Sequence, residues 1–487
     1  MTEPQHHPLT ISTPAPAVLC VDMDGTLIRT DSLLESALQF LKRDGVRALF
    51  LLCFWVLGGK ARLKRKLADR ISLNPADLPY NRDLLDFLKA ERAAGTRLVL
   101  ATGADERIAR RVADYLGIFD EVLASDGHTN LTASRKMHAL IGRFGERGYR
   151  YAGNSRADLP VWRQAGQAIV CCASNALPRR LERERVPTER VFLEKHSTFV
   201  LIVKALRVYQ WPKNLLIWVP LLLSHRMGEV GLIVKGAVAM VAFSFCASAL
   251  YLVNDLLDLT ADRAHPRKCA RPFASGRLNP WIGVVMAPLL VVVSLLMAWA
   301  LAPEFLLILA LYAAGSVSYS FFFKEVPLLD VCLLGGLYVV RIFAGGAAMG
   351  IVISSWTLGY CMFLFLSLAL LKRYVELLML DASKQTAARG RGYVVGDYPI
   401  LACFGAGTAC VAALLLALYI ESNEVQLLYR HPQRLWLLCG LHLYWISRAW
   451  LLANRGEMHH DPVLFALRDR TSYWLGLAGA AVALLAT

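Results

Sequence analysis

Asn254-Asp255-Leu256-Leu257-Asp258-Leu259-Thr260-Ala261-Asp262 closes a long apolar run, and Arg263-Ala264-His265-Pro266-Arg267-Lys268-Cys269-Ala270-Arg271-Pro272 follows at once. On a helix, positions 255, 258 and 262 share one face, since residues three and four apart are neighbours there. Three carboxylates so placed repel one another unless a cation lies between them. Hard divalent cations such as Mg²⁺ take oxygen ligands and bridge carboxylates to substrate phosphates. The basic cluster directly after suits a polyphosphate. The stretch therefore reads as a Mg²⁺–diphosphate site at a membrane surface.

The surroundings agree with a membrane. The 487 residues are 56% hydrophobic, and the mean hydropathy of +0.43 is high for a soluble protein. Residues 1 to about 196 have the pattern of a soluble α/β chain. From about 214 onward, apolar runs near the roughly 20 residues that span a bilayer take over. Nine spans are expected, at 214–224, 231–253, 282–301, 304–322, 328–350, 354–371, 399–420, 434–453 and 472–487. The loops 255–281, 323–327, 372–398 and 454–471 are the basic ones, which places them, and the N-terminal part, in the cytoplasm by the positive-inside rule. That retention also accounts for the net charge of +15. No aromatic–basic array points to nucleic acid. The eleven cysteines show no metal-ligand spacing, and Cys246, Cys332, Cys361, Cys403, Cys410 and Cys439 read as small buried hydrophobes in apolar runs. No secretory signal peptide is expected at the N-terminus.

In the N-terminal part, Ala17-Val18-Leu19-Cys20-Val21 reads as a buried strand ending in Asp22-Met23-Asp24-Gly25-Thr26-Leu27. Two carboxylates two residues apart at a strand end suit a nucleophile and a general acid acting on one phosphoryl group. Further strands end in Thr102-Gly103, at Ser125 and in Gly153-Asn154-Ser155-Arg156-Ala157-Asp158, with Lys136 in a polar segment between them. Strands alternating with helical patterns give a parallel sheet with ligands outside its carboxyl ends. The apolar segment 48–57, followed by Lys60, Arg62, Lys64, Arg65 and Lys66, is too short to span. It reads as a helical cap whose apolar face and basic flank suit a membrane surface.

This set resembles the haloacid dehalogenase superfamily of phosphatases. The resemblance implies a Rossmann-like α/β domain with a helical cap over residues 15–196, after a leader at 1–14. It implies Asp22 as the phosphorylated nucleophile, Asp24 as general acid/base, Thr102 holding phosphoryl oxygens, Lys136 neutralising charge, and Asp22, Asn154 and Asp158 at a Mg²⁺ site. Asn154 departs from the family, which has Asp there. An amide offers an oxygen without a charge, so metal binding should weaken.

After a linker at 197–213, nine spans with Asn-Asp-x-x-Asp-x-x-x-Asp after the second resemble the UbiA superfamily of membrane prenyltransferases, over residues 214–487. The resemblance implies an all-α polytopic domain whose Asp255, Asp258 and Asp262 hold Mg²⁺ and a diphosphate. One branch transfers phosphoribose from phosphoribosyl diphosphate to a polyprenyl phosphate. The run Asp262 to Pro272, Gln210-Trp211-Pro212-Lys213-Asn214 and Lys372-Arg373-x-x-Glu376 are similar to that branch. Asn254, His265, Lys268, Arg271, Lys213, Asn214, Tyr319, Lys324, Arg341, Lys372, Arg373 and Glu376 are the substrate-binding candidates this implies. Lys and Arg at helix ends also snorkel without any ligand, but Arg341 lies inside a span, where a charge faces a cavity or a partner. The fused phosphatase would then remove the 5-phosphate of the lipid product. The competing expectation is an aromatic prenyltransferase using prenyl diphosphate, beside a regulatory or vestigial phosphatase domain. A transporter is disfavoured: no internal repeat is visible, and the polar residues lie at one face.

Overall fold

A computed structural model of the chain describes residues 17–126, 131–194, 197–382, 392–458, 461–466 and 468–487. The leader 1–14 lies outside them. The chain divides into two compact units, one comprising Met1–Ala205 with Val253–Val285 and the other Leu206–Leu252 with Met286–Thr487. The aspartate stretch thus belongs to the first unit, with the α/β part of the chain.

The first unit is built on six strands, β1 (Val18–Val21), β2 (Arg97–Asp105), β3 (Glu121–Ser125), β4 (Arg150–Gly153), β5 (Gln167–Cys172) and β6 (Thr188–Leu193). They pair in parallel in the order β3-β2-β1-β4-β5-β6. The inner strands are apolar without interruption because both faces of a parallel sheet are covered. Alternate residues go to opposite faces. Leu19, Val21, Leu98, Leu100 and Ile169 enter one core, and Cys20, Val99, Ala101, Ala168 and Val170 the other. The strand order reverses at β1, and ligands of such sheets bind beyond the strand ends at that point. Asp22 is the next residue after β1.

Between β1 and β2 stands the expected helical insert. Its first helix, Ser32–Leu57, is capped by Asp31, which accepts from the amides of Leu33 and Leu34, and is interrupted at Gly45 (φ 56°, ψ −133°). Only glycine adopts such a conformation at little cost. The second helix is Lys60–Ala68. Lys64 Nζ donates to the Gly103 carbonyl at 2.5 Å, which holds this helix at the carboxyl end of β2.

The second unit is helical. Among the described residues six helices are long and apolar enough to cross a membrane: Val230–Leu257, Pro280–Leu301, Pro303–Phe323, Leu329–Met349, Val395–Ile420 and Pro432–Asn454. Nine were expected, and the other three segments are not among these six. Residues 214–224 fall in a 3₁₀ stretch, Val208–Trp218, and a short helix, Val219–Leu223. The last helix, Arg470–Ala486, has 17 residues, about 25 Å at 1.5 Å per residue. Residues 354–371 lie in Ser355–Ala382, a helix that goes on to carry Lys372, Arg373, Glu376 and Asp381.

Helices approach closely where glycine faces a neighbour. A Cβ at Gly345 would overlap the Ile217 carbonyl, and one at Gly405 would enter the Trp450 ring. Tyr338 stacks on Phe365 at 5.2 Å. Cys246, Cys361 and Cys439 are buried as expected, whereas Cys332, Cys403 and Cys410 are exposed. Apolar runs in a membrane face lipid as well as protein, so hydrophobicity alone did not separate the two sets.

Candidate functional site

Three polar centres emerge, two in the first unit and one in the second. The first lies beyond β1. Asp22 is buried, and Lys136, brought in by the helix Ala133–Phe144, donates to its Oδ1 at 2.7 Å. Lys136 Nζ also donates to Tyr151 Oη at 2.9 Å, and Tyr151 donates onward to Asp158 Oδ1 at 3.0 Å. Asp24 accepts from the Ser32 amide at 2.9 Å and from Ser32 Oγ at 3.1 Å. Thr102 is fully buried, and its Oγ1 accepts from the Ala104 amide at 3.1 Å. Gly25 (φ +75°) can carry no side chain, since a Cβ would run into the Asn154 amide.

Burial pushes the Asp22 carboxyl up to about 6, opposed by Lys136 and helped by Asp158. Burial pushes Asp24 to about 7, with Asp31 adding to it. Burial thus favours the protonated form of both carboxyls, as a general acid requires, while Lys136 favours the ionised form of Asp22 that a nucleophile requires. Asp158 Oδ2 accepts from the amides of Asn154 and Ser155 and from Ser155 Oγ. Asp158 therefore holds its own loop, Asn154 brings no charge, and a divalent ion here would have Asp22 as its one charged ligand free of the loop.

The second centre is the aspartate stretch. The continuous helix expected across it breaks at Asp258 (φ −98°, ψ 14°), between Val230–Leu257 and Leu259–Arg263. Asp258 does not share the partner of the other two. Asp255 and Asp262, both buried, converge on Arg271, whose Nη1 lies 3.0 Å from Asp255 Oδ1 and 2.6 Å from Asp262 Oδ2. Asp258 pairs instead with Lys42 of the cap helix at 2.7 Å. Among the described residues no three His, Cys, Asp or Glu side chains gather closely enough to hold a metal. The Asp255–Asp262 pair still fits Mg²⁺, which is bound by one or two carboxylates together with substrate phosphates. The Arg271 guanidinium marks where the positive charge belongs. His265 and Lys268 are exposed, and His265 Nδ1 accepts from the amides of Arg267 and Lys268, so His265 shapes the loop. Asn254 is half-buried beside Asp255.

This stretch is clasped to the cap helix. Arg263 meets Glu35 with two donors, at 2.6 Å and 3.2 Å, and Thr30 Oγ1 donates to the same carboxylate at 2.8 Å. Arg263 also reaches the carbonyls of Asp77 and Ala274, and Gln39 donates to Thr260.

The third centre lies in the second unit. Lys213 and Lys372 both donate to Asp461 Oδ2, at 2.8 Å and 3.0 Å, and Tyr338 Oη donates to Oδ1 at 3.3 Å. Burial would raise the Asp461 carboxyl, but Lys372 and Lys213 outweigh it and hold it well below the usual range. Arg341 donates to Asn214 Oδ1 at 3.0 Å and to Tyr312 Oη at 3.3 Å, inside a box of Phe243, Tyr312 and Tyr338 rings 5.1–5.3 Å away. Lys213 and Lys372 thus share one carboxylate, and Arg341 bonds Asn214, the residue after Lys213. Arg373 differs. It is buried against Asp330 (2.5 Å) and Glu376, with Tyr319 Oη at 2.9 Å, and Tyr393 donates to the other Asp330 oxygen. Arg373 thus joins Asp330, Glu376 and Tyr319. Lys324, in the turn after Tyr319, is half-buried.

Tyr151, Ser32, Glu35, Asp330 and Asp461 were not singled out from sequence. Asp461 had a signal, an acid in a loop otherwise marked by arginines. The others are common residue types whose roles come from tertiary contacts.

Comparison with known proteins follows these divisions. The model of the UbiA prenyltransferase family matches residues 216–485, and that of the haloacid dehalogenase-like hydrolases matches residues 19–163. The uncharacterized protein y4nM of Sinorhizobium fredii is 35% identical over 460 residues, 94% of this chain and 89% of that protein. The nodulation protein NoeC of Azorhizobium caulinodans is 34% identical over 289 residues, 58% of this chain and 92% of its own length. The decaprenyl-phosphate phosphoribosyltransferase of Mycolicibacterium smegmatis is 30% identical over 292 residues, again 58% of this chain and 92% of that one.

Proposed function

We propose, because the chain belongs to the UbiA prenyltransferase family and carries a haloacid dehalogenase-like hydrolase domain ahead of it, that it transfers 5-phosphoribose from phosphoribosyl diphosphate to a polyprenyl phosphate and then removes the 5-phosphate. The observation that carries this reading is the pair of lysines, Lys213 and Lys372, on the single carboxylate of Asp461, with Arg341 on the adjoining Asn214. A prenyl diphosphate brings one diphosphate, for which the Asp255–Asp262 pair with Mg²⁺ suffices. Phosphoribosyl diphosphate brings a further phosphate, and the lipid acceptor another, and these require additional cations. The name of the mycobacterial relative points the same way.

In the transfer, a lipid phosphate oxygen bonds to the anomeric carbon, and the bond from that carbon to the diphosphate breaks. Mg²⁺ when bound neutralises the departing diphosphate. Asp255 and Asp262 hold that ion, and Arg271 turns from them to the phosphates. In the hydrolysis, an Asp22 oxygen attacks phosphorus, and Lys136 compensates the charge. Asp24 gives its proton to the leaving C5 oxygen and then takes one from the water that releases phosphate. Removing that phosphate makes the sequence effectively irreversible. The basic loops support a cytoplasmic position for both sites.

The donor is tested by supplying labelled phosphoribosyl diphosphate or labelled prenyl diphosphate to the purified protein with Mg²⁺. Label is expected in the lipid from the first. Incorporation of the second into an aromatic acceptor would replace this reading with that of an aromatic prenyltransferase.

A further inference from the structure

We propose that the cap helix docks on the surface of an anionic lipid bilayer through Val46, Leu49, Phe50, Cys53, Phe54 and Leu57. These residues recur at intervals of three and one, the spacing of a single helical face. All six are exposed, Phe50 by 72% and Leu57 by 86%. The other side of the same helix is anchored in the core. Ala48 and Trp55 are buried, Trp55 stacks on Phe40 at 5.4 Å, and Arg70 lies 4.8 Å from its ring. The break at Gly45 gives the segment its own direction. It is thus a rigid helix with one packed side and one bare apolar side. Contiguous apolar patches of this kind mark interaction surfaces.

Charge complementarity selects the occupant. The helix Lys60–Ala68 that follows exposes Arg62, Arg65 and Lys66, which with Asp69 line a cavity of about 330 Å³. Arg107 already neutralises Asp69 at 2.6 Å, so the cavity keeps its positive character, and Arg47 adds a further exposed cation on the helix itself. An apolar face beside a basic cavity matches acyl chains beside anionic headgroups. Residues 46–57 extend about 18 Å at 1.5 Å per residue, short of the roughly 30 Å hydrocarbon core, so the segment lies in the interface plane.

The consequence concerns the phosphatase centre. Lys64 of the same hairpin bonds the Gly103 carbonyl, next to Thr102, so docking presents that centre to phosphomonoesters carried on lipid. The docking itself stands whether or not the centre is active.

The test uses the full chain in phosphatidylcholine vesicles, with and without phosphatidylglycerol, doped with a phospholipid carrying a diazirine in its acyl chain. After irradiation, adducts are mapped by mass spectrometry. The expected result is adducts within residues 46–57, several-fold more abundant with phosphatidylglycerol and reduced by salt. They should vanish in Phe50→Asp/Phe54→Asp while those on Val230–Leu257 persist. Adducts confined to the apolar spanning helices in the unaltered protein would overturn the proposal and point to a protein partner for this face. Adducts indifferent to phosphatidylglycerol would overturn its anionic part. Hydrolysis of p-nitrophenyl phosphate, unchanged in the double variant, reports an intact fold. Its absence even in the unaltered protein would sink the phosphatase reading without touching the adduct map.

Discussion

Asp22 and Asp24 illustrate how different partners assign two like residues to different work. The acid pushed to about 6 is the one paired with Lys136, and the acid pushed to about 7 is the one held by Ser32. Hydrolysis should therefore rise as Asp22 ionises near pH 6 and fall as Asp24 loses its proton above about pH 7. A rate–pH profile with p-nitrophenyl phosphate checks this, and a plateau extending to strongly alkaline pH would refute it. Asp22→Asn should abolish hydrolysis while transfer continues, so the lipid product keeps its 5-phosphate and weighs more by one phosphoryl group. In the second unit, Lys213→Met removes a charged donor worth about 1.5–3 kcal/mol. At about 1.4 kcal/mol per tenfold, kcat/KM for phosphoribosyl diphosphate should fall roughly 10- to 100-fold. An unchanged value would make Lys213 a partner of Asp461 and nothing more. Most of these residues were legible in the sequence, because chemistry-bearing types stand at strand ends or in a compact acidic–basic run. Tyr151 and Ser32 were not, since a tyrosine in a strand and a serine at a helix start carry no local mark of the hydrogen bonds they make.

At the scale of elements, the break at Asp258 separates what periodicity had joined. Spacing alone put three acids on one face, but the turn between Leu257 and Leu259 leaves Asp255 and Asp262 sharing Arg271, with Asp258 on Lys42. Asp255→Asn and Asp262→Asn should therefore each cost far more transfer activity than Asp258→Asn, as initial rates at saturating Mg²⁺ will report; equal losses would restore the three-acid reading. The clasp of Arg263 on Glu35 joins residues far apart in sequence, and no pattern announced it. Removing one partner of a buried ion pair costs about 3–5 kcal/mol. Glu35→Gln should thus lower both the thermal midpoint and the transfer rate, although Glu35 lies in the cap of the phosphatase domain. Transfer unaffected by the change would mean that the aspartate stretch holds its shape alone. The parallel sheet was readable from its apolar runs and their spacing. The spans were less so: residues 214–224 are apolar enough to suggest a crossing, but they form 3₁₀ and short helical turns.

For the whole molecule, the proposed sequence is a transfer that makes a lipid-linked phosphoribose and a hydrolysis that then trims it. The fusion of a haloacid dehalogenase-like domain to a UbiA domain was visible in the motifs of each. The pairing of donor and acceptor rests on the uneven charge of the third centre, which only the tertiary structure assembles, since Lys213, Arg341, Lys372 and Asp461 come from four separate segments. The most direct measurement gives the purified full-length protein phosphoribosyl diphosphate, decaprenyl phosphate and Mg²⁺, and follows the lipid by mass. The expected product is decaprenyl-phosphoribose without its 5-phosphate, passing through a heavier species that accumulates in Asp22→Asn. No ribose on the lipid under these conditions, with prenyl transfer from a prenyl diphosphate instead, would contradict the account.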